Sequence, residues 1–505
     1  STNSKAPSAY FSVEPQSVNL YIASYFEQVH PIYPFLQRHE FERKALDNRC
    51  SQFCEECAPF SALYHTVLAL GCQRLGGETF QLGCSPSWKL FQVALGLFAE
   101  MITTKETLVH VQAMTAMAIF ARNSSGVQIE RLLTTEAARI AQFIGINRAI
   151  YANEDMDLCR RAFWTIYVLE KTQTFACGRD SILIDSNIGT PVPQIPDAVF
   201  DGFDCFHALC RFSRVLSKAK DALFSISATL VPSSTILTTI DALNGELERW
   251  RKSIGKDFRP GNGFQQSGNL DSLSIRLKLM LSYQYYSAVI ALARIKLNVA
   301  SWESDPSKLQ AEQVLLHASR SIVELTRYID VETYTPMWLA AYHSTRILLS
   351  VPLSAIFILF DFVIHNPCHS ETKNNIALLG IAAGYFCRLE FSSGGRLQTS
   401  LLSDLAQIAR DYISDMEFLG TPYSCHHSQP DEHETGTRPV LPASGEESLA
   451  TVQDPLRYGT ANERYFPTDT DLFPIESEFT QGVDLTSFFA TELPDFVDPS
   501  IFNLL

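Results

Sequence analysis

Cysteine and histidine are the residue types to test first for chemistry in this chain. Cys50, Cys54 and Cys57 contain one C-x2-C pair, and Cys425 stands beside His426 and His427 with His433 further on. Thiolate and imidazole ligands at such spacing hold zinc, but a structural site needs four of them. No second C-x2-C pair follows Cys57 at usable spacing, and the residues between are acidic or apolar. The first group is therefore expected to be loop cysteines without a metal, and the second falls in a segment expected to be disordered. Gly261 and Gly263 form G-x-G without the third glycine, strand and helix that a dinucleotide site requires. H-E-x-x-H, G-x-S-x-G and G-x4-G-K are all absent from the sequence. No catalytic, metal or cofactor residue is assigned, and the chain is expected not to be an enzyme.

What remains is an arginine-bearing stretch, CRRAFWTIYVLEKTQTFACGRDSILIDSNIGTPVPQ, from Cys159 to Gln194. Arg160 and Arg161 lie on a helix whose apolar face includes Leu158, Ala162, Ile166 and Leu169, while Trp164 and Tyr167 add bulk beside it. Gly178 permits a turn that a side chain would hinder. Arg179 offers a planar fork for carboxylates or carbonyl groups. Two readings of Arg160, Arg161, Trp164, Gly178 and Arg179 stay open. They either tie helices together through buried ion pairs, or they border a pocket for a small regulatory ligand.

The elements that must position these residues follow from the rest of the chain. Its 505 residues are 46% hydrophobic with 33 Phe, enough for a large core. The net charge of −15 opposes unaided binding to a phosphate backbone. The densest basic cluster, Arg249, Arg251, Lys252, Lys256 and Arg259, reads as a solvated helix end and loop. Twelve cysteines are scattered, and Cys72, Cys159, Cys177 and Cys387 sit in apolar runs where a small hydrophobe is expected to be buried. Leu348 to Leu359 is apolar but contains Pro352 and falls short of the roughly 20 residues that span a bilayer. No membrane association is expected.

Residues 1–16 read as a polar leader, and 17–419 as one all-α body. Leu133, Ala137, Ile140, Ala141 and Ile144 make one apolar helical face. Lys252 to Asn269 interrupts the helical pattern as a loop. Residues 420–460 carry Pro, Ser, Gly, His and acids, and are expected to be a disordered linker. Residues 461–505 mix acids with Phe473, Phe488, Phe489, Phe496 and Phe502, the composition of an acidic activation segment.

Six stretches resemble, in order, the fungal-specific transcription factor domain, the middle homology region of fungal zinc-cluster Zn(II)2Cys6 transcription factors. They are YFEQVHPIYPFLQRHEF from Tyr25, SALYHTVLALGC from Ser61, TLVHVQAMTAMAIF from Thr107, EAARIAQFIGINRA from Glu136, and the later pair LMLSYQYYSAVIALAR and IFILFDFVIHNP, with the Cys159–Gln194 signature lying between the fourth and the fifth. Arg139, Gly145 and Arg148 match the family pattern. Asn147 replaces its usual His, Asp180 stands where Pro often follows Gly-Arg, and Asn187 replaces its usual Asp. The flavour is that of the xylanolytic-type activators.

The resemblance implies a nuclear fungal transcription factor controlling RNA polymerase II genes of a metabolic pathway, in carbon-source use or secondary metabolism. Promoter DNA would be bound only through an N-terminal zinc cluster, expected to be missing from this chain by truncation or by loss. Zinc is implied for that module alone, so no cofactor is expected here. A coactivator would take the C-terminal tail, a small-molecule effector would bind the helical domain, and a homodimer is a candidate state. Two other readings are a partner or repressor protein of the same family without DNA binding and, more distantly, a helical enzyme.

Overall fold

The computed structural model describes residues 11–76, 85–123, 127–148, 156–200, 202–263, 271–299, 306–329, 350–395 and 400–418. Contacts group residues 1–419 into one unit and 420–505 into another, and all described residues belong to the first. The linker, the tail phenylalanines and Cys425, His426, His427 and His433 lie outside them.

The chain opens with α1 (Pro15–Gln28), α2 (Arg38–Ala45), α3 (Cys50–Glu56) and α4 (Ala58–Arg74). Pro15 sits at the first helical position of α1, where its lost N–H is not needed. Next come α5 (Pro86–Gly96), α6 (Phe98–Thr103), α7 (Leu108–Asn123), α8 (Val127–Phe143) and α9 (Met156–Ala176). Ser85 caps α5, its Oγ accepting from Trp88 N at 3.2 Å. From Ala58 to Gln73 every residue of α4 is buried, and so is His110 to Ala121 of α7. Apolar residues on all sides make these the central helices, with α1, α5 and α7 packed around α4 and α8 and α9 against α7.

After α9 the chain runs through a loop to an antiparallel pair, Val199–Phe200 with Phe203–Asp204, closed by Gly202 at φ +79°. It is the one strand pairing among the described residues. Then follow α10 (Cys205–Leu223), α11 (Ser233–Ser253), α12 (Ser272–Val299), α13 (Pro306–Leu325), α14 (Ser350–His365), α15 (Thr372–Ser392) and α16 (Ser400–Phe418). Asp204 caps α10 by accepting from His207 N at 2.8 Å. One continuous apolar core runs from Val18 of α1 to Leu292 of α12. Helices α13 to α16 pack among themselves, and α12 joins them to the rest through α13, where Tyr283 Oη donates to Ile322 O at 3.3 Å. The fold is all-α, as the helical spacing predicts.

Three local expectations need correction. Cys50, Cys54 and Cys57 are not loop residues: the first two are buried on α3, and Cys57 is exposed where α3 ends. A four-residue spacing puts Cys50 and Cys54 on one helical face, which packs inward as small hydrophobes do. Among the described residues no group of three or more His, Cys, Asp or Glu could hold a metal ion. Secondly, of the four cysteines expected in the core only Cys72 is buried; Cys159 and Cys177 are half-buried and Cys387 is exposed. Cys177 lies past the end of α9, and Cys387 faces outward on α15 with its Sγ 3.0 Å from Ser403 Oγ.

The third correction concerns the basic cluster at the end of α11 and in the loop after it, which is only partly solvated. Arg251 Nη1 donates to Pro260 O at 3.0 Å, and Arg259 donates from Nε to Ile254 O at 3.1 Å and from Nη2 to Lys252 O at 2.9 Å. These guanidinium groups hold loop carbonyls in place around the buried Phe258. Among the described residues no helix is long and apolar enough to cross a membrane. In α14 the side chains of Ala355, Ile356, Leu359, Phe360 and Val363 are buried in protein instead.

Candidate functional site

Helix α9 organises the signature. It is amphipathic at its ends and buried through its middle, from Arg161 to Gln173. Trp164 is fully buried; its Nε1 donates to Pro191 O at 2.9 Å, and the Arg214 guanidinium lies 4.9 Å from its ring centroid. Arg161 is buried and its Nε donates to Asp157 Oδ2 at 2.6 Å, one turn earlier on the same helix. Arg160 is half-buried and Arg179 is exposed. Gly178 has φ +61°, the left-handed conformation its place in the turn requires, with open space where a Cβ would be. The five signature residues therefore do not converge on one point.

The polar centre of the signature is made by residues that spacing alone did not single out. Glu170 and Lys171, both buried on α9, grip the loop that follows. Ser181 Oγ donates to Glu170 Oε2 and Ile182 N to Glu170 Oε1, each at 2.9 Å. Lys171 Nζ donates to Ser181 Oγ at 2.7 Å and also to Leu183 O, and sits 3.5 Å from Asp185 Oδ1. Tyr167 Oη donates to the same Asp185 oxygen at 2.9 Å. Burial pushes the Glu170 carboxyl above its usual range, and Lys171 and the loop donors pull it back. This network fixes the path of the loop rather than exposing reactive groups.

The departures from the family pattern fall in the same place. Asn147 Nδ2 donates to Asn187 O at 3.0 Å, and Asn147 O accepts from Gly189 N at 2.9 Å. Gly145, at φ +79°, turns the chain there after α8. Asp180 is exposed and lies 3.4 Å from Lys220 Nζ, which also donates to Gly178 O at 3.2 Å.

A cavity of about 70 Å³ lies beside the C-terminal half of α9, lined also by Tyr33 and by α7, α10 and α12. Its apolar wall includes Phe175, Phe212, Leu216 and Met280; Arg122, Thr172, Gln284 and Ser287 are its polar members. The Arg122 side chain is 10% exposed and Glu130, on α8, 2%; their closest approach is 3.8 Å between Nε and Oε1. Neither of those two atoms has a hydrogen-bond partner, nor has Gln284 Oε1. Burial raises the Glu130 carboxyl, and the nearby guanidinium opposes that shift. None of Arg160, Arg161, Trp164, Gly178 and Arg179 lines this cavity. The signal for it in the sequence was slight: an Arg and a Glu eight positions apart, each among apolar residues at facing ends of two helices.

Residues 22–252 match the family described as the fungal specific transcription factor domain. The chain is 24% identical over 389 residues to an ABC-transporter-regulating transcription factor of Aspergillus fumigatus, covering 69% of this chain and 42% of that protein. It is 21% identical over 361 residues to the fumonisin cluster-specific transcription factor FUM21 of Gibberella moniliformis, covering 65% of this chain and 53% of that protein. It is 22% identical over 281 residues to the negative regulator of pleiotropic drug resistance STB5 of Candida glabrata, covering 50% and 28% respectively. The chain thus spans about two fifths of the length of the A. fumigatus relative. The first two are named as transcription factors and the third as a negative regulator.

Proposed function

We propose that this chain is the regulatory and activating part of a nuclear fungal transcription factor that controls RNA polymerase II genes of a metabolic or export pathway. The observation that carries this is the domain match over residues 22–252, extended by relatives named as transcription factors along 69% of the chain. Promoter DNA would be contacted through a zinc-cluster module of the kind the family carries, since a net charge of −15 gives this chain no general affinity for phosphate. The helical body answers a small effector. The acid-rich segment from Ala461 to Leu505 docks Phe473, Phe488, Phe489, Phe496 and Phe502 into an apolar groove of a coactivator.

The experiment fuses Ala461–Leu505 to an unrelated DNA-binding module and reads a reporter gene. Activation, and its loss when Phe488, Phe489 and Phe496 are all changed to Ala, supports the activator reading. A silent fusion removes it. The negative-regulator relative favours the second reading in that case, a partner or repressor of the same family.

A further inference from the structure

We propose that the cavity between α7, α9, α10 and α12 is the effector site, and that it takes a small carboxylate of about five heavy atoms, anchored on the Arg122 guanidinium. This deepens the regulatory reading above and rests on it. Arg122 is the cationic group of the lining. A guanidinium carries five N–H donors in a planar fork. Here both Nη atoms reach only Thr172 Oγ1, at 3.4 Å each, and that hydroxyl itself donates to Val168 O at 2.7 Å. Nε has no hydrogen bond, and Glu130 stays 3.8 Å away. Glu130 faces Nε across 3.8 Å without a hydrogen bond, so the Nη edge of the fork has no planar, two-oxygen partner, and a carboxylate supplies one with two parallel N–H···O bonds.

The size of the guest follows from the volume. One water needs about 10–15 Å³ of such space, so about 70 Å³ holds roughly five water-sized groups. The carboxylate uses three of them, which leaves room for a short carbon chain. Phe175, Leu216 and Met280 present the apolar wall that such a chain would cover. Gln284 is a polar member of the same wall, and its amide NH2 is the group that would donate to a carboxylate. A dianionic ligand brings more charge than one buried arginine, already facing Glu130, offsets.

The test titrates the full chain with propionate and with propionamide, its neutral isostere, by ligand-observed NMR. Propionate is expected to bind about tenfold or more tighter, because only the anion makes charge-assisted bonds to Arg122. Arg122→Gln should abolish that preference. Ala176→Leu, at a half-buried lining position, should fill the space and remove binding while circular dichroism stays unchanged. If Arg122→Gln fails to fold, the anion–amide comparison and Ala176→Leu still decide. Equal binding of the two probes, no binding of either, or propionate binding that survives Ala176→Leu overturns the proposal. Such a failure leaves the reporter test of the activation segment untouched, so the two readings fail separately.

Discussion

The carbonyl oxygen of Tyr21 lies directly against Gly71, so that a Cβ at position 71 would sit well inside van der Waals contact with backbone. Helices α1 and α4 cross at this point, and Ser24 Oγ donates to Gly71 O at 3.0 Å beside it. Close approach of two backbones, not turn geometry, is what requires glycine here. Gly71→Ala is therefore expected to push α1 off α4 and destabilise the body by about 1–3 kcal/mol, the range for overpacking. Gly245 in α11 is the control: nothing lies within 4 Å of its added Cβ. Gly245→Ala should stabilise by about 0.5–1 kcal/mol through helix propensity. Denaturant melts of the two variants check both signs, and equal effects would refute the contrast.

Trp164 is expected to act through packing. It is fully buried against Phe163 and Tyr167, with ring centroids 5.7 and 4.9 Å away. Trp164→Ala should cost about 3–5 kcal/mol of stability. Trp164→Phe should cost less, keeping apolar volume while losing the bond to Pro191 O. Chemical denaturation measures both; an unchanged midpoint for the Ala variant would mean that Trp164 serves a ligand instead.

Helix spacing made the α-helical body legible, and the six family-like stretches located the signature. The turn at Gly178 could be read because only its backbone chemistry mattered. What the sequence hid was pairing between distant elements. Arg160, Arg161 and Arg179 look alike as letters, yet one is half-buried, one is buried on its own helix and one is exposed. The residues that hold the loop, Glu170 and Lys171, looked like ordinary helix charges until Ser181 and Ile182 came back across them. Arg122 escaped notice because its surroundings come from four separate helices and a turn. Cys50 and Cys54 misled in the opposite way, since metal-like spacing on a short helix is also core spacing.

A pH dependence is expected from α14. Burial pushes the Asp361 carboxyl up to about 6 from an ordinary 3.8, against the opposing pull of His365, whose Nδ1 lies 3.1 Å from Oδ1. A carboxyl with a raised folded-state pKa prefers its proton in the fold. Its contribution is full below about 3.8 and is lost as pH rises through about 6. Asp361→Asn should flatten the stability profile over that window and leave the variant more stable than the parent at pH 7. Thermal melts from pH 4 to pH 7 read this directly; parallel profiles would contradict it.

Tethering gives the sharpest test of the transcriptional account. The full chain, Ser1 to Leu505, is fused to an unrelated DNA-binding module, and transcript from a reporter carrying its site is counted against the module alone. The activator reading expects transcript to rise several-fold, with the rise removed by changing Phe488, Phe489 and Phe496 to Ala. Transcript unchanged by a fusion that is folded and bound at the reporter would contradict the claim that this chain activates transcription.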